Sequence, residues 1–172
     1  FNIILNINFF LKPLILNPLM YSICVFIFLQ GCYSRQHKKE NDTDWEFYSQ
    51  RADIAPVHWV DGDIVFKNQP TLALAGEGKA YINGSWTRLF DVNPGRFYEF
   101  RTHFKTDIRS QIDRSVLAQI TWLNKAGERV DYIEYPGFGA IWDNDWNQIR
   151  QIYKVPESTV MARIDLILRW AP

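Results

Sequence analysis

The chain has 172 residues, with 19 basic and 19 acidic side chains and a formal net charge of zero. That balance excludes a general nucleic-acid binder, which needs an excess of Lys and Arg to neutralise phosphate. Aromatics are plentiful, with 7 Trp, 8 Tyr and 12 Phe, and every Trp lies after residue 44 while both cysteines lie before it. The later region therefore has no disulfide and must be held by packing, for which roughly 120–140 residues suffice.

In chain order, residues 1–31 come first and differ in composition from the rest. Leu14–Leu29 is almost entirely apolar, broken by Asn17, Pro18 and Ser22, with Lys12 as the basic flank. This pattern predicts a secretory signal, with a membrane-spanning helix as the competing reading. The run ends in Leu29-Gln30-Gly31-Cys32, which resembles the lipobox of bacterial lipoproteins. The resemblance implies that Cys32 is lipidated and begins the mature protein, anchored on the extracytoplasmic side of a bacterial cell envelope. Several acyl chains on one Cys anchor firmly, where a single chain would not. The sequence starts with Phe rather than Met, so a misplaced start or a fragment is expected. Residues 32–44, including the polar run Tyr33–Thr43, read as a tether.

From residue 45 onward the pattern predicts short strands separated by turns. Trp45–Gln50, Val57–Val60, Ile64–Lys67 and Thr71–Ala75 come first, with turns at Asp61-Gly62-Asp63 and Asn68-Gln69-Pro70. Tyr81-Ile82 is a short strand candidate, and Asn83-Gly84 is a strong hairpin signal. Trp86–Val92, Phe97–Lys105 and Ser115–Leu123 form the central block, with turns at Asn93-Pro94-Gly95 and Asn124–Gly127. Arg129–Tyr135 is the next strand, Pro136–Asp145 a long loop, and Trp146–Lys154 and Thr159–Trp170 the last two strands.

Period-two alternation assigns the faces. Tyr98, Phe100 and Thr102 oppose Glu99, Arg101 and His103; Val116, Ala118, Ile120 and Trp122 oppose Leu117, Gln119, Thr121 and Leu123. On the last strand Ala162, Ile164, Leu166, Leu168 and Trp170 oppose Arg163, Asp165 and Arg169. No helical periodicity competes, so the expected fold class is all-β, an antiparallel β-sandwich of jelly-roll type.

The order W-T-R-L-F-x-V-x-P-G-R-F-Y-E-F-R, V-L-A-Q-I-T-W-L-N-K-A-G, W-N-Q-I-R-x-x-Y-x-V-P and A-R-I-D-L-I-L-R-W-A-P, between Trp86 and Pro172, resembles carbohydrate-binding-module jelly rolls. It is most similar to the galactose-binding-like β-sandwich that precedes some carbon–nitrogen hydrolase (nitrilase superfamily) domains. The resemblance implies a further strand, and in some relatives a hydrolase domain, after Pro172. The nitrilase catalytic set includes a Cys, and both cysteines here belong to the leader, so no catalytic residue is expected in this chain.

Two functions are therefore expected. One is a non-catalytic, membrane-tethered module that binds carbohydrate or serves a secreted hydrolase. The other is the N-terminal part of an extracytoplasmic carbon–nitrogen hydrolase. No cofactor is expected. Asp143-Asn144-Asp145 reads as a turn whose oxygens are also of the kind that ligate calcium. His37, His58 and His103 have no metal-ligand spacing. For a glycan, Tyr135 and Trp142 in the aromatic loop are the stacking candidates, with Arg101 and Gln119 as planar hydrogen-bonding groups. Trp59 with the Asp61-Gly62-Asp63 turn is the next candidate.

Overall fold

A computed structural model describes residues 2–6, 44–108, 111–143 and 146–170. Two antiparallel sheets pack face to face as an all-β sandwich. The larger sheet contains β1 (Asn2–Asn6), β3 (Val57–Phe66), β4 (Gln69–Ala75), β6 (Phe97–Thr106), β8 (Phe138–Asp143) and β9 (Trp146–Lys154). Its order is β3-β4-β1-β6-β9-β8. The smaller sheet is ordered β2-β5-β10-β7, from β2 (Glu46–Tyr48), β5 (Asn83–Asp91), β10 (Met161–Arg169) and β7 (Val116–Leu123). A 3-10 turn at Ala52–Ile54 and one helical turn, α1 (Ile112–Ser115), are the helical elements of the described residues.

Strand alternation builds the core. Tyr98, Phe100, Thr102 and Phe104 from β6 meet Val116, Ala118, Ile120 and Trp122 from β7 and Ala162 to Leu168 on alternate positions of β10, all buried. Trp122 is 2% exposed and meets Tyr153 edge-on at 6.2 Å. Trp86 is likewise buried, and its indole nitrogen donates to the Ala73 carbonyl at 3.1 Å, tying the two sheets together. Burial raises the Tyr153 hydroxyl above its ordinary pKa, with the Glu134 charge adding to the effect.

Turn chemistry fixes the connections. Gly95 and Gly127 adopt φ of +71° and +81°, as the two expected turns require. Asn124 accepts the Ala126 and Glu128 backbone N–H groups on its side-chain oxygen, stabilising the second turn.

Several expectations are corrected. The two strands expected at Val57–Val60 and Ile64–Lys67 are one strand, β3, with a register shift between Asp61 and Val65. Asp61 fills the bulge by accepting the Asp63 and Ile64 N–H groups, which suits an Asp in either a turn or a bulge. Asn83-Gly84 is not a hairpin but the start of β5, paired with Arg169 and Leu168. Gly84 is required there because Pro56 packs so closely that an added Cβ would sit 2.6 Å from its Cδ.

Arg129–Tyr135 forms isolated bridges to β7 through Arg129 and Glu134 rather than a strand. Part of the expected loop Pro136–Asp145 is instead strand β8, paired with β9. Trp170, expected on the core face, is 57% exposed because the chain leaves β10 there with φ of +50°.

Asn2–Asn6, within the segment read as leader, pairs with β4 on one side and β6 on the other. The Leu29–Cys32 motif with Cys32, the tether up to Thr43, and Asn144 and Asp145 of the acidic turn lie outside the described residues.

Candidate functional site

The outer face of the smaller sheet carries a row of polar residues in strict cross-strand register. Glu46 on β2 is opposite Thr87 on β5, Thr87 is opposite Asp165 on β10, and Asp165 is opposite Gln119 on β7. Four strands at the usual spacing make this floor ~14 Å wide. Neighbouring rows add Tyr48, Ser85 and Ile167 on one side and Leu89, Arg163 and Thr121 on the other. A cleft of about 510 Å³ lies over this floor, reaching from Arg163 to Arg169 along β10 and to Tyr48–Gln50 at the β2 edge. The volume falls within the ~300–1,000 Å³ of small-ligand sites.

Asp165 is the hub. Its carboxylate accepts from Thr87 Oγ1 at 2.7 Å, Arg163 Nε at 3.1 Å and Gln119 Nε2 at 3.3 Å. Three donors to one buried carboxylate satisfy its charge and link side chains of β5, β10 and β7. Ser85 and Thr87 hydroxyls lie 3.3 Å apart, extending the chain of polar contacts. Gln119 in turn accepts from the Tyr135 hydroxyl at 3.3 Å. Two tyrosines therefore flank the floor: Tyr48 at the β2 edge, 59% exposed, and Tyr135 beyond the β7 edge, 53% exposed. The arrangement offers flat rings on both sides and fixed amide, guanidinium, hydroxyl and carboxylate groups between them.

Gln119 and Tyr135, named from the sequence, are brought together here. Arg101 and Trp142 are not; both belong to the larger sheet, on β6 and β8. Arg101 donates to Glu99 Oε1 at 2.7 Å, and Arg150 Nε donates to the same oxygen. Burial works to raise the Glu99 pKa, but hydrogen bonds and charge from Arg101 and Arg150 outweigh it and hold the carboxyl below its ordinary value. Trp59, the next candidate, donates its indole N–H to Asp61 at 3.2 Å on the edge strand β3. The Asp61 carboxyl is held low, chiefly by the Ile64 backbone N–H, against a smaller effect of burial.

Glu46, Tyr48, Thr87, Arg163 and Asp165 were not singled out by sequence as site residues. The alternation of Arg163 and Asp165 against the apolar face of β10 was visible; that β10 lies between β5 and β7 was not.

No protein-family model matches the chain, and no curated protein matches it. Among solved structures, it is similar to the enzymatically active domain of tailspike protein 4 of bacteriophage CBA120, with a TM-score of 0.60 and 19% identity. The match covers 76% of this chain and 18% of the tailspike chain, and it is a likeness of fold: a β-sandwich shared by two very different sequences.

Proposed function

We propose that this chain is a non-catalytic carbohydrate-binding module, tethered to a bacterial envelope through lipidated Cys32, and that the cleft over β2, β5, β10 and β7 is its glycan site. The observation that carries the reading is the Glu46–Thr87–Asp165–Gln119 row with Tyr48 and Tyr135 at its two edges. Sugars present apolar ring faces that stack on aromatic rings and a belt of hydroxyls that planar polar groups can fix. The cleft supplies both, and its fixed carboxylate and guanidinium form charge-assisted hydrogen bonds stronger than neutral ones. Its charged lining residues are Glu46, Asp165, Arg163 and Arg169, two of each sign, which favours a neutral glycan over a polyanionic one.

The test is a polysaccharide affinity gel or glycan array with wild type, Tyr48→Ala, Tyr135→Ala, Arg101→Ala and Trp142→Ala, each checked for folding by circular dichroism. Binding is expected to weaken in the two tyrosine variants and to persist in the Arg101 and Trp142 variants. A folded wild type that retains no polysaccharide overturns the glycan reading. For the anchor, Cys32→Ser is expected to release the protein from membranes or block its processing; unchanged retention with normal processing overturns the lipid reading.

A further inference from the structure

We propose that the outward face of β6 and β9, on the larger sheet, docks against the anionic headgroups of the bilayer that holds the tether, which turns the cleft on the smaller sheet away from the membrane. The proposal rests on the reading of the chain as membrane-tethered.

Register defines the face. Phe97, Glu99, Arg101 and His103 on β6 pair with Lys154, Ile152, Arg150 and Gln148 on β9. Their neighbours Tyr98, Phe100, Thr102, Ile149 and Tyr153 are turned into the core. Lys105 follows on β6 by alternation and rests over the Trp146 ring at 5.3 Å. The outward positions of the two strands thus carry Arg101, Lys105, Arg150 and Lys154 against the single acid Glu99. Glu99 accepts from both Arg101 and Arg150, so its charge is answered within the face and an excess of positive charge remains. Lys67, from the turn between β3 and β4, adds to it: its ammonium lies 5.4 Å over Phe66, which stacks on His103. Among the described residues no carboxylate pairs with Lys67, Lys105 or Lys154. The cleft on the smaller sheet, by contrast, is lined by two charges of each sign. The outward faces of two packed sheets point in opposite directions, so the zero net charge of the chain conceals a polarised sandwich.

Phe97 and Ile152 decide which anionic partner fits. They are diagonal neighbours among these cations and are 46% and 48% exposed. A free polyanion would pair with the cations and leave both side chains in water. A bilayer surface covers both kinds of group, with phosphates at the cations and the upper acyl region at the apolar pair. The tether enters at β2, on the smaller sheet. Tyr33–Thr43 is long enough to span up to ~35 Å, several times the ~10 Å between packed sheets, so the face on the far side comes within reach of the membrane.

The experiment uses the full chain, purified in mild detergent and reconstituted into vesicles of phosphatidylcholine alone or mixed with phosphatidylglycerol. An environment-sensitive thiol dye is placed at Ile152→Cys on the docking face or at Leu89→Cys on the cleft face, with Cys24 replaced by Ser. The protein without an added cysteine reports any dye on Cys32, and acrylamide quenching reads exposure. With phosphatidylglycerol present, the dye at 152 is expected to be protected and the dye at 89 to stay accessible. Arg150→Gln and Lys154→Gln, checked for folding by circular dichroism, are each expected to lower the ratio of docked to undocked molecules about fivefold, the equivalent of ~1 kcal/mol per surface cation. High salt is expected to remove the protection. Equal quenching at 152 in both kinds of vesicle overturns the proposal, as does equal protection at 152 and 89. Protection that rises with protein concentration without phosphatidylglycerol marks contact between copies and overturns it too. Dye on Cys32 in the control shows an unlipidated cysteine, and the tether reading fails. Flotation of that protein with phosphatidylglycerol vesicles, lost in Arg150→Gln/Lys154→Gln, then still upholds docking, and its absence overturns it.

Discussion

Tyr135 donates its phenolic hydrogen to the side-chain oxygen of Gln119 at 3.3 Å, tying an irregular segment to the exposed face of β7. The same amide donates to Asp165, so the Tyr135 ring is linked to the centre of the polar floor through one side chain. Tyr135→Ala removes an exposed ring and is expected to shift the melting temperature by no more than ~2 °C, as surface changes usually do. Glycan binding is expected to fall about tenfold, the worth of one good stacking contact. Tyr135→Phe keeps the ring and is expected to hold most of the affinity. Titration calorimetry beside thermal denaturation reads both quantities; equal affinity in the Ala variant would remove Tyr135 from the site.

Asp165→Ala acts on the fold as well as on the cleft. It leaves Thr87, Arg163 and Gln119, all partly buried, without their shared acceptor. Thr87 and Gln119 keep contacts to Ser85 and Thr121 and Arg163 is part-exposed, so the loss is that of ordinary hydrogen bonds, about 1 kcal/mol, and chemical denaturation should show a lower midpoint with an unchanged slope. Asp165→Asn keeps one acceptor and is expected to fall between wild type and the Ala variant. An Ala variant as stable as wild type would mean that solvent already satisfies these donors.

The sandwich was legible because β6, β7 and β10 each carry an apolar face at period two, and a one-residue slip would turn that whole face to solvent. Asn93-Pro94-Gly95 and Asn124–Gly127 were legible because their glycines adopt the left-handed backbone that such turns need. Asn83-Gly84 misled because Gly serves two purposes: it permits positive φ, and it permits close approach, which is its role beside Pro56. The site was only half legible. Alternation says that Arg101 and Gln119 both face away from the core, but strand order decides which sheet each belongs to. β6 and β7 follow one another in sequence yet lie in opposite sheets. Outward-facing residues on them therefore cannot share one groove, whereas Glu46 and Gln119, far apart in sequence, lie in one row.

His103 provides a pH signature. Its ring is 2% exposed, stacks on Phe66 at 4.6 Å, and has Nε2 at 2.9 Å from Gln148 Nε2. With the amide donating, the ring nitrogen accepts, which a neutral imidazole can do. Burial, with the Lys67 and Arg101 charges, lowers its pKa from 6.5 to about 4. Between those values the unfolded chain binds a proton that the folded chain does not. Its contribution to stability is complete above about pH 6.5 and is lost as pH falls toward 4, by at most ~1.4 kcal/mol per pH unit. Urea midpoints from pH 7 to pH 4 should fall less steeply in His103→Gln than in wild type. Parallel curves would mean that His103 titrates as an ordinary exposed histidine.

Gly84→Ala couples the packing of the sandwich to the cleft. Gly84 pairs with Leu168 in the middle of the small sheet, and its missing side chain admits the Pro56 ring and the Phe47 ring. An added methyl would stand 2.6 Å from Pro56 Cδ, 2.9 Å from its Cγ and 3.1 Å from Phe47 Cε2. Proline has no flexible tip to swing aside, so the strain must move the backbone. Overpacking of this sort costs ~1–3 kcal/mol. The movement falls on β2, because Phe47 belongs to that strand and is paired with Trp86. Glu46 and Tyr48 flank Phe47 and form the outer edge of the cleft, so the displacement reaches them. Gly84→Ala is therefore expected to lower the melting temperature and to weaken glycan binding together, because the strand that carries Glu46 and Tyr48 shifts. The Tyr48→Ala variant should weaken binding with little change in stability, which separates loss of a contact from displacement of the strand. Normal stability and binding in Gly84→Ala would show that Pro56 moves away freely and that β2 is not held by this contact.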